Sequence, residues 1–228
     1  ITPRYCEGFK EYLSRTVADS TARQYFALFK AALNRAVKQN IIRQNPARNT
    51  TAPKPKEKLR EFLTIGEVST LARTDCHNPE IKKAFLFSCF TGLRLSDIEG
   101  LKWGDIQGDE ISIVQQKTQQ TNIIPLSESA KRILSKGNIH PLPSQKVFSL
   151  PCRSAIVKTL RKWFTAGKIT KPAKFHISRH TFATLSITQG IDIYTVSKLL
   201  GHRELATTQI YAKVIDQKKR DAMKLLPV

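Results

Sequence analysis

Six side chains between positions 94 and 211 of this 228-residue chain make a set with one shared use: Arg94, Lys117, His176, Arg179, His202 and Tyr211. The arginines, the lysine and a suitably protonated histidine can donate hydrogen bonds or positive charge to a phosphate. A planar guanidinium grips two phosphate oxygens at once. A tyrosine hydroxyl can attack phosphorus and hold the product covalently. No carboxylate cluster or cysteine pair stands beside them in the sequence to hold a metal. The combination points to metal-free phosphoryl transfer on DNA, with Tyr211 as nucleophile. Of the five tyrosines, Tyr5, Tyr12 and Tyr25 fall in N-terminal helices, and Tyr194 is expected in a core with Ile193 and Val196. Tyr211 alone closely follows the basic cluster.

The local context of each residue constrains its task. Arg94 lies in FTGLRLSDIEGL, between the end of an apolar helix and Ser96-x-x-Glu99, which reads as the capping box of the next helix. Asp97 either braces the Arg94 guanidinium or sits as an acid favoured by the helix dipole. His176-x-x-Arg179 opens a helix in KFHISRHTFATL, so its ring and guanidinium share one face. His176 and His180 have the spacing of a metal-ligand pair. No Cys, Asp or Glu clusters there as a third ligand, and His180 is expected to pack or hydrogen-bond within the core. Leu200-Gly201-His202 ends a helix with a left-handed cap. Lys117, the only lysine between Lys102 and Lys131, sits on a polar QQKTQQ turn.

The elements that must position these groups can be read from periodicity. In the stretch Ser20 to Gln39, Tyr25, Phe29, Leu33 and Val37 recur at i+4, with Phe26 and Ala36 widening the stripe of an amphipathic helix. Arg23, Lys30, Arg35 and Lys38 lie mostly off that stripe and face either phosphates or solvent. Residues 46–60, PARNTTAPKPKEKLR, hold three prolines and five basic residues, among them Lys54, Lys56, Lys58 and Arg60, and read as an extended basic linker. Such a linker suits a protein that closes around a duplex, and equally an ordinary solvated connection. Beyond it the pattern mixes helix and strand. Thr64-x-x-Glu67 is a capping box, Glu80 to Phe90 is apolar nearly all round, and Gly92 ends that helix. Short strands are expected at 110–114 and 121–125, and helices at 127–135, 153–166, 178–189, 192–200, 206–211 and 215–226.

Charge agrees with a DNA partner. Lys plus Arg number 38 against 18 Asp plus Glu, a formal charge of +20, and residues 1–60 alone carry 13 basic and 4 acidic groups. Neutralising backbone phosphates releases counterions, which makes binding strong and salt-dependent. With 40% hydrophobic residues the chain can bury a core. Cysteines 6, 76, 89 and 152 lack C-x-x-C spacing and fit reduced thiols of a cytoplasmic protein. No transmembrane-length apolar run or signal peptide is visible. The chain opens on Ile1, so upstream residues are expected to have been removed.

The series Arg94 … Lys117 … His176-x-x-Arg179 … Gly201-His202 … Tyr211, with its TGLR, H-x-x-R-H and LGH contexts, resembles the tyrosine recombinases, the integrases of phages and mobile elements. The likeness spans residues 63–226 and finds no departure at the six positions. The TARQYF and QNPA segments of residues 1–50 are similar to the helical core-binding domain that precedes the catalytic domain there. This copy looks shortened at its start, without the arm-binding domain many relatives carry. The resemblance implies a mainly α fold with a small antiparallel β-sheet (α+β). Its domains would be a core-binding domain at 1–50, a linker at 51–60 and a catalytic domain at 61–228. It also implies cleavage and rejoining of duplex DNA through a 3′-phosphotyrosine. In that scheme Arg94 and Arg179 bind the scissile phosphate, His202 donates to it, His176 is a general acid/base, and Lys117 protonates the departing 5′ oxygen. No cofactor is implied. The expected partners are double-stranded DNA, a homo-tetramer on DNA formed from free monomers, and DNA-bending accessory proteins, in a bacterial cytoplasm near the nucleoid. The C-terminal helix would dock on a neighbour or on its own domain. A type IB-like topoisomerase or a catalytically silent DNA-binding regulator are the alternatives.

Overall fold

The structure, a computed structural model, describes residues 1–54, 60–114, 121–135 and 141–212. The chain forms two compact units, residues 1–58 and 59–228. It is mainly helical, with one small three-stranded antiparallel sheet of order β1-β2-β3, as the sequence led one to expect.

The first unit is built on two helices, α1 (Pro3–Thr16) and α2 (Asp19–Lys38). Thr2 caps α1 by accepting from the Tyr5 amide at 3.3 Å, with Pro3 at the first helical position where no N–H is needed. The two helices close over Cys6, Leu13, Ala22, Phe26, Leu33 and Ala47, with the Phe9 and Phe29 rings tilted against each other at 4.9 Å between centroids. The buried face of α2 runs through Ala22, Phe26 and Leu33, which rotates the expected stripe: Tyr25 is 50% exposed. Steps of four, three and four residues through Ala22, Phe26, Phe29 and Leu33 follow the 3.6-residue turn better than the all-i+4 series beginning at Tyr25. Arg23, Arg35 and Lys38 are exposed. Lys30 instead donates its ammonium to the carbonyls of Arg48 (3.0 Å) and Thr50 (3.3 Å), tying α2 to the loop that follows it.

The second unit begins with α3 (Ile65–Arg73), whose capping box forms as read: Thr64 accepts from the Glu67 amide and the Glu67 carboxylate accepts from that of Thr64. Helix α4 (Pro79–Thr91) runs through the centre. Asn78 caps it by accepting from Glu80 and Ile81, and Gly92 ends it in the left-handed conformation at φ 71°. Phe85 on α4 makes edge-on contacts with Trp163, Phe164 and Phe175 at 5.6, 5.6 and 5.7 Å. Pairs of this kind add roughly 0.5–1.5 kcal/mol each beyond the area they bury. Trp163 and Phe164 come from α7 (Arg153–Ala166).

Helix α5 spans Leu95–Gly100, which corrects the reading of Ser96-x-x-Glu99 as a capping box. Ser96 lies inside the helix, and the Asp97 carboxylate accepts from the Arg94 amide at 3.3 Å at its start. Glu99 pairs with Arg153 at 3.0 Å. A short 3-10 turn leads to β1 (Ile106–Gln107), β2 (Glu110–Val114) and β3 (Thr121–Pro125). Ile111 faces Ile124 across the β2–β3 ladder, and both are buried. Next come α6 (Glu128–Leu134), α8 (His176–Thr188), α9 (Ile193–Leu200) and a helical stretch at 206–212. No described helix is long and apolar enough to cross a membrane.

Candidate active site

Three helix ends and one strand build the site. Helix α8 packs along α4. At their crossing the Ser88 and Ser178 hydroxyls meet at 2.6 Å, Ser88 bonds the Leu93 carbonyl and Ser178 that of Phe175. Two hydroxyl protons serve three contacts, and where one of them lies between the serines the pair bonds the α4 terminus to the start of α8. The chain leaving α4 therefore carries Arg94 to the same corner as Arg179.

Arg179 is 2% exposed. Its guanidinium donates to the carbonyls of Gly92 and Leu200, both at 2.7 Å. Those carbonyls terminate α4 and α9, where the dipole's negative end favours a cation. Both helices end on glycines in the left-handed region, Gly92 at φ 71° and Gly201 at φ 62°. A Cβ on Gly92 would meet Phe182 at 2.5 Å and Leu200 at 2.9 Å, so that corner admits glycine alone. Asn122 of β3 donates to the Leu199 carbonyl at 2.9 Å, which fastens the hairpin to the end of α9.

Arg94 is half-buried, with a guanidinium nitrogen 3.9 Å from the buried Asp97 carboxylate, so Asp97 both braces it and starts its helix. Burial lowers the Arg94 pKa, opposed by Asp97 and by the Tyr211 phenol. Arg179 is pushed down to about 9, by burial first and then by the like charge of Arg94, opposed by Tyr211 and Asp97. Two guanidinium groups and a phenol thus lie within electrostatic reach of one another. An anion entering there relieves both the repulsion and the lost hydration.

Tyr211 is 2% exposed and packs with Ala183, Val196 and Leu200. Burial raises its pKa, and Arg179, Arg60 and Arg94 pull it back. Its hydroxyl lies 2.8 Å from His180 Nδ1. His176, exposed at the start of α8, sets its ring edge-on to His180 at 4.6 Å. His202 Nδ1 meets the Thr208 hydroxyl at 2.7 Å. His180 is held down to about 4, by burial first and then by the charges of His176, Arg60, Arg179 and His202.

Five of the six predicted residues, Arg94, His176, Arg179, His202 and Tyr211, therefore gather around one corner. Lys117 lies outside the described residues, as do Lys56, Lys58 and the helix expected at 215–226. Arg60, read as part of the linker, acts electrostatically on Tyr211 and His180. Lys54 is exposed. Tyr194 corrects its expected burial: it is 60% exposed, because Val196 and Leu200 form the inward face of α9, and its ring lies under the Lys198 ammonium. Sequence reasoning missed His180 as the partner of the tyrosine. Its position one turn after His176 was the available signal. Among the described residues no group of three His, Cys, Asp or Glu could hold a metal ion.

Comparison with known proteins gives this arrangement a family. Residues 61–218 match the phage integrase family and residues 1–52 the phage integrase SAM-like domain. A tyrosine recombinase of Thermosipho africanus (strain TCF52B) is 30% identical over 216 residues, covering 91% of this chain and 76% of that protein. The fold superposes on a lambda integrase (75-356) dimer bound to a COC′ core site with a TM-score of 0.74 at 21% identity, over 92% of this chain and 79% of that one. A lambda integrase tetramer on a Holliday junction gives 0.71 at 20% identity, over 90% and 65%. The Tn1549 transposon integrase with transposon right end DNA gives 0.74 at 20% identity, over 96% and 85%. By the extent of these matches the chain belongs to the phage integrase family and is a tyrosine-type site-specific DNA recombinase.

Proposed function

We propose that Tyr211 attacks the scissile phosphate of a DNA duplex while Arg94 and Arg179 hold its non-bridging oxygens, leaving a 3′-phosphotyrosine and a free 5′-hydroxyl. The observation that carries this reading is the convergence of two guanidinium charges on the one phenol. Preorganised donors of this kind are typically worth ~3 kcal/mol each in the transition state. His202 is a further donor to the phosphate, His176 an acid/base group, and Lys117 the acid that protonates the departing 5′ oxygen. One phosphodiester is exchanged for another, so bond energy is conserved and ATP is not needed. Attack by the 5′-hydroxyl of a second site completes recombination.

Residues 1–50 form the core-binding domain in this reading, with Arg23, Arg35 and Lys38 on phosphates. Lys54, Lys56, Lys58 and Arg60 extend that contact along the 51–60 linker to the catalytic domain at 61–228. Four protomers assemble on paired DNA sites, as lambda integrase does on a Holliday junction, and the chain works at the nucleoid of a bacterial cytoplasm.

A duplex pool with a randomised centre, nicked so that cleavage cannot reverse, tests this. The wild-type chain should form an SDS-resistant adduct in the presence of EDTA, and Tyr211→Phe should form none. An adduct retained by Tyr211→Phe would reject the assignment. Mapping the junction defines the site, and two copies on one DNA should then recombine; relaxation alone would make the protein a topoisomerase.

A further inference from the structure

We infer that His180, in place of the acid/base group His176 named above, takes the proton from Tyr211 as it attacks phosphorus. The inference rests on Tyr211 being the nucleophile, as proposed above. Its basis is the 2.8 Å contact between His180 Nδ1 and the Tyr211 hydroxyl, the one hydrogen bond of that oxygen among the described residues.

The direction of the bond follows from its surroundings. The phenol is buried and its pKa raised, so it carries its proton at neutral pH and can donate. His180 is neutral there, since burial and the nearby His176, Arg60, Arg179 and His202 disfavour a second proton. A neutral imidazole has one acceptor nitrogen, which makes Nδ1 the acceptor and places the hydrogen on Nε2. His180 is therefore paired and charged correctly for a base before DNA arrives. The His176 ring stands edge-on to that of His180, with centroids 4.6 Å apart.

The step balances. The Tyr211 O–H bond breaks and its proton passes to Nδ1, giving an imidazolium. The phenolic oxygen bonds to phosphorus, and the bond from phosphorus to the 5′ oxygen breaks. That oxygen leaves with a proton from the acid assigned to Lys117. Rejoining runs the same path backward: the incoming 5′-hydroxyl loses its proton to that acid, now a base, and Tyr211 departs with the proton His180 held. The entering phosphate contributes negative charge beside Arg179 and Arg94, which offsets the cations that otherwise disfavour the imidazolium. Four of the groups that set this balance lie on three segments beside α8: Arg60 before α3, Arg94 before α5, and His202 and Tyr211 after α9. The other two, His176 and Arg179, are on α8 itself.

Single-turnover adduct formation on the nicked duplex carrying the mapped site separates the possibilities. The wild type is compared with His180→Ala, His180→Gln and His176→Ala. Each is assayed on the normal substrate and on one with sulfur in place of the departing 5′ oxygen, which leaves without needing a proton. His180→Ala should slow about 100-fold, the usual range for a lost general base. Its defect relative to wild type should persist on the sulfur substrate, with duplex affinity unchanged. Its rate should climb about tenfold per pH unit toward the phenol range while the wild type stays flat. His180→Gln, which keeps a hydrogen-bond acceptor but cannot take a proton, should be as slow, and it carries the test should the alanine variant melt early. Wild-type speed in His180→Gln, rescue of His180→Ala by sulfur, or the whole pH signature appearing in His176→Ala instead would overturn the assignment. An adduct in Tyr211→Phe would remove both this inference and the reading beneath it, whereas a normal His180→Gln removes this inference alone.

Discussion

Arg179 serves two tasks, and its substitution should show both. It holds the terminal carbonyls of α4 and α9 with bonds of 2.7 Å, and a guanidinium has five N–H groups, so the same side chain can also face a phosphate. Removing it leaves two buried carbonyls without that donor, at roughly 1–3 kcal/mol for each unsatisfied group. Arg94, half-buried and braced by Asp97, has less structural burden. Both Arg94→Ala and Arg179→Ala should abolish the covalent adduct. Urea melts should show the larger loss of stability in Arg179→Ala, and equal losses would mean that the carbonyl bonds contribute little. His180 makes a second prediction at this scale. Its folded-state pKa near 4 lies below the ordinary 6.5, so between those values the unfolded chain binds a proton that the folded chain refuses. Stability therefore falls as pH drops from about 6.5 toward 4. Thermal melts across that window should show the fall, and His180→Gln should flatten it.

At the scale of elements, two glycine-capped helix ends locate the site. Gly92→Ala would place a Cβ in a left-handed corner already occupied by Phe182 and Leu200. A strained backbone of this kind costs on the order of 1–3 kcal/mol, and overpacking a core about as much again. The variant should be destabilised by roughly 2–6 kcal/mol by denaturant titration, and should lose adduct formation even at low temperature because the carbonyl holding Arg179 shifts. Normal cleavage in a destabilised variant would separate the cap from the site. Signals with a local cause were legible in the sequence: both glycine caps, the Thr64 capping box and the two strands of the β2–β3 hairpin. Ser96-x-x-Glu99 failed because the same spacing occurs inside a helix, and only tertiary structure shows Glu99 paired with Arg153. Tyr194 failed because a short helix of eight residues leaves its apolar face ambiguous until α8 is packed beside it. The Tyr211–His180 bond joins positions 31 apart, and no local period encodes it. Six residues of four types in order could announce the chemistry, but not which nitrogen holds the nucleophile.

The whole molecule carries a formal charge of +20, and its cations fall into two populations with different work. Arg179 is buried and Arg94 half-buried at the site, where they act on one phosphate. Arg23, Arg35 and Lys38 are exposed on α2 and are available to the DNA backbone in solution. Each phosphate neutralised on duplex DNA contributes about 0.9 to the slope of log affinity against log salt. Arg35→Ala combined with Lys38→Ala should therefore lower that slope by about 2 and weaken binding alike on specific and random duplex. Adduct formation at saturating DNA should stay at the wild-type rate, because neither side chain belongs to the reacting corner. Lys30 supplies the internal control. Its ammonium is engaged by the Arg48 and Thr50 carbonyls, so Lys30→Ala should lower the melting temperature and leave the salt slope unchanged. Salt titrations by fluorescence anisotropy on the three proteins decide the matter. A slope that falls for Lys30→Ala and not for the double variant would move the DNA-binding face of α2 to its opposite side.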